Sequence, residues 1–227
     1  MVKRLPSSGL ARLLLILLTI LSILGGVSIS FTASDNSLSR DGLLKELRTE
    51  NIDRIREALN TIRRMRYQGE LLPVLSAVWE ERIKEYPDLA WNTLRKPIIR
   101  ADVANVLLQA ERNGKIQVNK DQMHEYLRGL VSSDDVDVVG SAIWSLEIFD
   151  DEQDVDMILA VAKKQSKRLF PTAVIALAQM CNPGSQRALN ELERQVTDPE
   201  LKKLLLETKQ KSERFKAETH RCEKGRL

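Results

Sequence analysis

The sequence predicts an all-α fold in which antiparallel helix pairs stack into an α-solenoid after an N-terminal apolar helix. Three observations lead to this prediction. From Asp35 onward, apolar residues recur at intervals of three or four, which gives each helix one face for a core. Aromatic residues form only 4% of the chain, so helices packed on helices are favoured over a β-sandwich. A segment in the second half repeats after 31 residues.

Residues 1–34 have the pattern of an export signal. Three basic residues precede an uncharged stretch of 22 residues, Leu13–Ser34, and this order is typical of segments that enter a membrane. The apolar core Leu13–Leu24 has the length of a cleaved signal peptide, whereas the whole stretch could span a bilayer as a retained anchor. Both alternatives place residues 35–227 outside the cytoplasm, in a bacterial periplasm or on a single-pass inner-membrane anchor.

The body of the chain, without residues 1–34, is electrically neutral. That segment holds three of the 35 basic residues and none of the 32 acidic residues, so 32 of each remain. A domain that binds nucleic acid needs a basic face to neutralise phosphates. The charge balance therefore argues against nucleic acid as a partner.

The chain has two cysteines, Cys181 and Cys222. In an oxidising compartment an isolated pair is a candidate disulfide, which here would tie the C-terminal segment to the last repeat. The alternative is a buried free thiol at Cys181 and an exposed one at Cys222. We expect the bridge, because export places both thiols in an oxidising compartment.

Apolar stripes and helix-start residues divide the body into helices. The stripes cover residues 52–65, 71–83, 99–110, 123–130, 136–149, 158–162, 170–181, 189–196 and 201–205. Asn119 with Gln122 resembles a capping box, and Asn182-Pro183 and Asp198-Pro199 each place an N-cap before a proline. The breaks are short, so consecutive helices should pack antiparallel. The segment Glu200–Lys224 begins apolar and becomes charged, as expected for a capping helix with a charged tail.

Two helix pairs in the second half align with each other at the offset of 31 residues. The aligned positions are Ala142 with Ala173, Leu146 with Leu177, Ile158 with Leu189 and Val161 with Leu192. A small alanine lets two helices approach closely, and a large aliphatic side chain one turn later fills the gap. Ala58 with Ile62, and Ala104 with Leu108, look like earlier and more divergent copies. Stacked units of this kind bury a continuous core that no single unit could bury.

A helix–turn–helix pattern runs through this repeat. It is carried by Val139, Ala142, Leu146, Asp150-Asp151 and Ile158. Over residues 134–196 the pattern resembles the HEAT-repeat family, although Asp150 departs from the usual Gly-Asp-Pro turn of that family. The resemblance implies a right-handed, armadillo-type superhelix whose curved surface binds partners, and it implies no catalytic residues.

No catalytic, cofactor-binding or metal-binding residues are predicted. His124 and His220 lie far apart in the sequence, and neither has the spacing of a metal-ligand pair. Acidic residues are dense over Asp134–Asp137 and Asp150–Asp156. A calcium site is one interpretation, but the spacing lacks the glycine and the terminal glutamate of an EF-hand loop. We therefore expect these carboxylates to cap helix starts.

One predicted helix near the start of the body is strongly basic. Its arginines are Arg54, Arg56, Arg63, Arg64 and Arg66. This face could meet an anionic partner or the lipid surface near an anchor. The alternative, which we expect, is a solvated face with intrahelical partners such as Asp53 and Glu57. The three tryptophans, Trp79, Trp91 and Trp144, should pack in the core or between repeats.

These observations favour a non-enzymatic scaffold for protein–protein interactions that requires no cofactor. Its expected partner is another protein, bound along the surface formed by the second helix of each pair. The polar side chains expected on that surface are Arg128, Lys163, Lys164, Arg187 and Arg194. Two alternatives stay open: an envelope enzyme or enzyme subunit whose site forms only in three dimensions, and a structural membrane protein that spaces other components.

Overall fold

A computed structural model describes residues 39–64, 69–219 and Cys222. The predicted export segment, residues 1–34, lies outside this part of the chain, as do Arg66 and His220. The described residues form α-helices and one short 3₁₀ helix, Ile83–Glu85, without a β-strand among them. The all-α prediction is therefore confirmed.

The helices follow the predicted stripes closely. Their bounds are α1 (Arg40–Leu47), α2 (Ile52–Arg64), α3 (Leu72–Trp79), α4 (Trp91–Leu94), α5 (Pro97–Arg112), α6 (Lys120–Leu130), α7 (Val136–Leu146), α8 (Glu152–Lys163), α9 (Phe170–Gln179), α10 (Pro183–Gln195) and α11 (Pro199–Thr219). The stripe over residues 71–83 is wrong in part, because α3 ends at Trp79 and Glu81 has a positive φ of 55°. A positive φ does not fit a right-handed α-helix, so Glu81 interrupts the predicted stripe.

Polar side chains begin several helices where the sequence predicts them. The Asn119 side chain accepts a hydrogen bond from the backbone N–H of Gln122 at the start of α6. Asn182 accepts from the N–H of Ser185 at the start of α10, with Pro183 in the first helical position. Asp135 and Asp151 cap α7 and α8 in the same way. Each of these acceptors satisfies a backbone donor that the helix itself leaves unpaired.

The helices pack in a regular succession. Helix α2 contacts α5, α5 contacts α7, α7 contacts α9, and α9 contacts α11. Helices α6, α8 and α10 pack on α7, α9 and α11 respectively, and α8 also contacts α10. A single apolar cluster extends from Leu43 in α1 to Leu205 in α11. The described residues therefore share one continuous core.

The repeat detected in the sequence corresponds to two successive helix pairs, α7–α8 and α9–α10. The aligned residues Ala142, Ala173, Leu146 and Leu177 are all fully buried. The loops of the two pairs are also joined through Asp150, whose carboxylate accepts from the backbone N–H groups of Cys181 at 2.7 Å and Asn182 at 3.0 Å. Asp150 has φ of 57°, a conformation that aspartate tolerates better than most residues.

Candidate functional site

A groove of about 300 Å³ crosses one face of α2, α5, α7 and the start of α9. Its walls combine charged, small polar and apolar side chains. They are Arg56, Leu59, Asn60, Arg63, Asp102, Asn105, Val106, Val136, Asp137, Gly140, Ser141, Trp144, Arg168, Leu169 and Thr172. We call this feature the α2–α9 groove.

Helix periodicity explains why these residues meet. On α2 the lining positions are 56, 59, 60 and 63, and on α7 they include 137, 140, 141 and 144. Both sets have the spacing i, i+3, i+4, i+7, so each set shares one face of its helix. The adjoining faces of α2 and α7 are buried in the core through residues such as Ile55, Ile62, Ile143 and Leu146, and Leu59 lies where the two faces of α2 meet. The groove is therefore the polar face that remains after the core has formed.

Three guanidinium groups and two carboxylates set the electrostatics of the groove. Arg56 Nε donates to Asp102 Oδ2 at 2.7 Å, and its Nη2 donates to Ser141 Oγ at 3.2 Å. Arg168 Nη2 pairs with Asp137 Oδ1 at 2.9 Å, and both of these side chains are exposed. The Arg56–Asp102 pair is half-buried and so is less screened by solvent than the Arg168–Asp137 pair.

Arg63 differs from the other two arginines of the groove. Its Nη2 donates to Asn60 Oδ1 at 3.0 Å on the same helix. Within the part of the chain that the structure describes, no carboxylate oxygen lies within 4.0 Å of its nitrogens. The side chain is nevertheless half-buried. A guanidinium has five N–H donors, so Arg63 retains donors that face the groove without a described carboxylate.

The base of the groove is held by hydrogen bonds of small polar residues. Asn105 is only 4% exposed, and its Nδ2 donates to the backbone oxygen of Trp144 at 3.3 Å. The hydroxyl of Ser145 lies within hydrogen-bond distance of two backbone oxygens, that of Ser141 on its own helix at 2.9 Å and that of Ala101 on α5 at 3.2 Å. Trp144 itself is half-buried and lines the groove, whereas Trp79 and Trp91 are buried as predicted. The interpretation of Trp144 as a packing residue is therefore incomplete.

A second polar cluster lies between α6 and α8. The Asp154 side chain is 0% exposed, and its carboxylate binds His124 Nε2 and Arg128 Nε, each at 2.6 Å. The imidazole of His124 stacks on Phe149 with 4.0 Å between ring centroids. Burial is the largest single influence and works against the charge of Arg128, but the hydrogen bonds and charges of Asp154 and Asp151 together outweigh it and raise the pKa of Arg128. Asp154 lies in the first turn of α8, as the capping interpretation expects, but its carboxylate also joins α8 to α6.

The residues predicted to bind a partner lie apart from the α2–α9 groove. Arg128 is partly exposed and pairs with Asp154 and Asp151. Lys163 pairs with Glu191 at 2.6 Å, a contact that lowers the pKa of Glu191, and Arg187 pairs with Glu152.

A larger depression of about 1080 Å³ over α8, α10 and α11 includes Arg187 and Arg194 among its lining residues. Lys164 is exposed at the end of α8. A role for these five residues in binding stays a prediction.

Cys181 and Cys222 form a disulfide in the structure, with their Cα atoms 5.3 Å apart. This distance is within the range of ordinary disulfides. The bridge joins Cys181, which follows Met180 at the end of α9, to Cys222, which lies just beyond α11. Its formation in the cell stays a prediction, which rests on the predicted export.

The sequence contained a usable signal for part of the groove. The offset of 31 residues places Arg168 on Asp137 and Thr172 on Ser141. Equivalent positions in neighbouring repeats lie side by side, so opposite charges there predict an ion pair. Helix periodicity places Arg63 and Arg64 on different faces, because one residue along a helix moves a side chain by about 100°, but it does not show which of the two faces a groove.

Comparison of the chain with models of protein families, with curated proteins and with solved structures gave no match. The resemblance to HEAT repeats therefore stays a prediction. Among the described helices, none is both long and apolar enough to cross a membrane. Within the same residues, no group of three or more His, Cys, Asp or Glu side chains is placed to hold a metal ion.

Proposed function

We propose that this protein is a non-enzymatic binding module, a HEAT-like α-solenoid whose partner is another protein. The observation that carries the proposal is the α2–α9 groove, which brings half-buried Trp144 and Arg63 together on a surface formed by packed helices. Tryptophan and arginine are the residue types that contribute most at protein interfaces. A groove of about 300 Å³ is at the small end of ligand pockets, so it suits a few side chains of a partner.

The succession of helix contacts supports the solenoid part of the proposal. In such a stack, each helix pair contacts its neighbours, and the exposed faces of equivalent helices form one extended surface. The chain of contacts from α2 through α5, α7 and α9 to α11 has this character. The α2–α9 groove lies along these helices, so the binding surface we propose differs from the second-helix surface expected from the sequence.

The predicted export segment adds a proposed location. Residues 1–34 would direct the module across a membrane, either as a cleaved signal or as a retained anchor. The partner would then be an envelope protein. The larger depression over α8, α10 and α11 is less favourable as a site. Several of its charges are already paired within the chain, among them Arg187 with Glu152 and Glu191 with Lys163.

Two glycine substitutions test the proposal. Gly140 lines the groove, and a Cβ there would meet only Leu169 Cδ2, at 3.9 Å. Gly140→Leu should therefore fill the groove without disturbing the helix. Gly129→Leu is the matched control, because Gly129 is an exposed glycine of α6 with open space around it. Both changes replace glycine by a better helix former.

The expected result is selective loss of a partner. Chemical cross-linking in the native membrane fraction, followed by purification of the protein, should give one discrete adduct for the wild type and for Gly129→Leu. The adduct should be lost for Gly140→Leu. Equal yields of the adduct from both variants would refute the groove as the binding site.

A further inference from the structure

We infer that the α2–α9 groove binds a carboxylate-bearing segment of the partner protein, and that Arg63 is the side chain that pairs with the carboxylate. The inference rests on the proposed function and adds the chemistry of the partner. Arg63 is half-buried, and within the described residues its guanidinium meets the Asn60 amide but no carboxylate. Arginine presents two parallel N–H groups that match both oxygens of a carboxylate.

The neighbouring charged residues leave Arg63 as the arginine of α2 in the groove that can pair with a carboxylate of the partner. Arg56 is neutralised by Asp102 and also donates to Ser141, so this pair forms part of the groove wall. Arg63 lies on the same face of α2 as Arg56, about 10 Å away along the helix, because seven residues make about two turns. Arg63 is therefore far enough from Asp102 to accept a carboxylate of its own.

Arg168 offers a second, weaker contact. Both side chains of its pair with Asp137 are exposed, and exposed ion pairs contribute little to stability. An incoming carboxylate could replace Asp137 at little cost. A partner with two spaced acidic residues would therefore bind better than a partner with one.

The same charges argue against nucleic acid and anionic lipid as the occupant. Asp102 and Asp137 line the same groove as the three arginines, and they pair with Arg56 and Arg168. A nucleic-acid strand carries a charge on every nucleotide and would place phosphates near these carboxylates. A protein segment can instead put neutral side chains against Trp144 and reserve its carboxylate for Arg63.

The test uses the purified full-length chain and a fluorescent peptide of alternating Glu and Ala. Its neutral counterpart of alternating Gln and Ala serves as the control probe. Arg63→Gln removes the pairing charge, and Arg64→Gln removes an equal charge from the adjacent, exposed position on α2. We expect saturable binding of the acidic peptide by anisotropy, weakened about tenfold in Arg63→Gln and unchanged in Arg64→Gln. Thermal melts should show that both variants fold like the wild type.

Several results would overturn the inference. No saturable binding up to about 1 mM acidic peptide would exclude a useful site, since that Kd corresponds to about 4 kcal/mol. Equal weakening in both variants would mean that only overall charge matters. The last result concerns phosphate. If Arg63→Gln weakens binding of phosphatidylglycerol vesicles or single-stranded DNA more than it weakens binding of the peptide, the site binds phosphate.

The cross-linking test separates this inference from the proposed function. If Gly140→Leu abolishes the native adduct while Arg63→Gln leaves it intact, the groove binds a protein but not through a carboxylate on Arg63. If neither variant changes the adduct, the groove is not the binding site, and the proposed function loses the observation that carries it.

Discussion

Replacing Asp154 by alanine should destabilise the protein more than replacing any neighbouring acid. Asp154 is 0% exposed and holds both His124 and Arg128 at 2.6 Å, across the interface between α6 and α8. The change removes the shared carboxylate and leaves the guanidinium of Arg128 without its most buried partner. An isolated charge in that position is costly because protein surroundings solvate it poorly.

The size of the effect follows from the exposure of the partners. Breaking a fully buried ion pair costs about 3–5 kcal/mol. Arg128 is 28% exposed and keeps Asp151 at 3.0 Å, while His124 is 16% exposed, so the lower end of that range applies. We expect a loss of about 3 kcal/mol in the free energy of unfolding. For a domain of this size, that loss corresponds to a fall in Tm of about 6–12 °C.

Thermal and denaturant unfolding followed by circular dichroism would measure the loss. Asp156→Ala is the matched control, because Asp156 is an exposed acid on the same helix, two residues further along. It should change stability by less than about 0.5 kcal/mol. A loss for Asp154→Ala that is no larger than that of the control would refute the reasoning that the cluster fastens α6 to α8.

Three further predictions concern the disulfide, the loop contact and the half-buried phenol of Tyr126. The Cys181–Cys222 bridge spans 41 residues, and on the chain-entropy model its reduction should lower the free energy of unfolding by about 4 kcal/mol. Thermal melts with and without reductant measure this loss, and an unchanged Tm would contradict it. Asp150→Gly allows the positive φ but removes the acceptor for the N–H of Cys181. Urea unfolding should show that it lowers the free energy of unfolding by about 2 kcal/mol, and that Asp150→Asn lowers it less. Burial raises the pKa of Tyr126 above its ordinary value of 10.0, with Arg100 opposing the shift. The folded state therefore holds this proton longer than the unfolded state, and stability should fall as pH rises above about 10, but less so in Tyr126→Phe.

Local features of the fold were predictable because they depend on residues close in sequence. The cap formed by Asn182 before Pro183 depends on three or four residues and a fixed geometry. The spacing of Ala142 and Leu146, repeated in Ala173 and Leu177, was enough to place two helix pairs. A helix cap and a repeated apolar spacing each favour one local structure strongly, so both could be predicted from the sequence.

The polar contacts were less predictable because they join distant segments. In the sequence, Asp154 is one acid among several at a helix start, and its binding to His124 depends on how α6 meets α8. The same packing turns Arg128, expected as an exposed partner-binding residue, toward Asp154. Periodicity tells which residues share a face, as for Arg56 and Arg63, but not whether another helix covers that face.

The most direct test of a protein-binding groove is site-specific photo-cross-linking in the native membrane fraction. A photoreactive amino acid is placed at Asn60, inside the α2–α9 groove, or at Arg194, in the depression over α8, α10 and α11. We predict a discrete adduct from Asn60 that Gly140→Leu removes, with none from Arg194. An adduct from Arg194 alone would contradict the groove and support the second-helix surface instead.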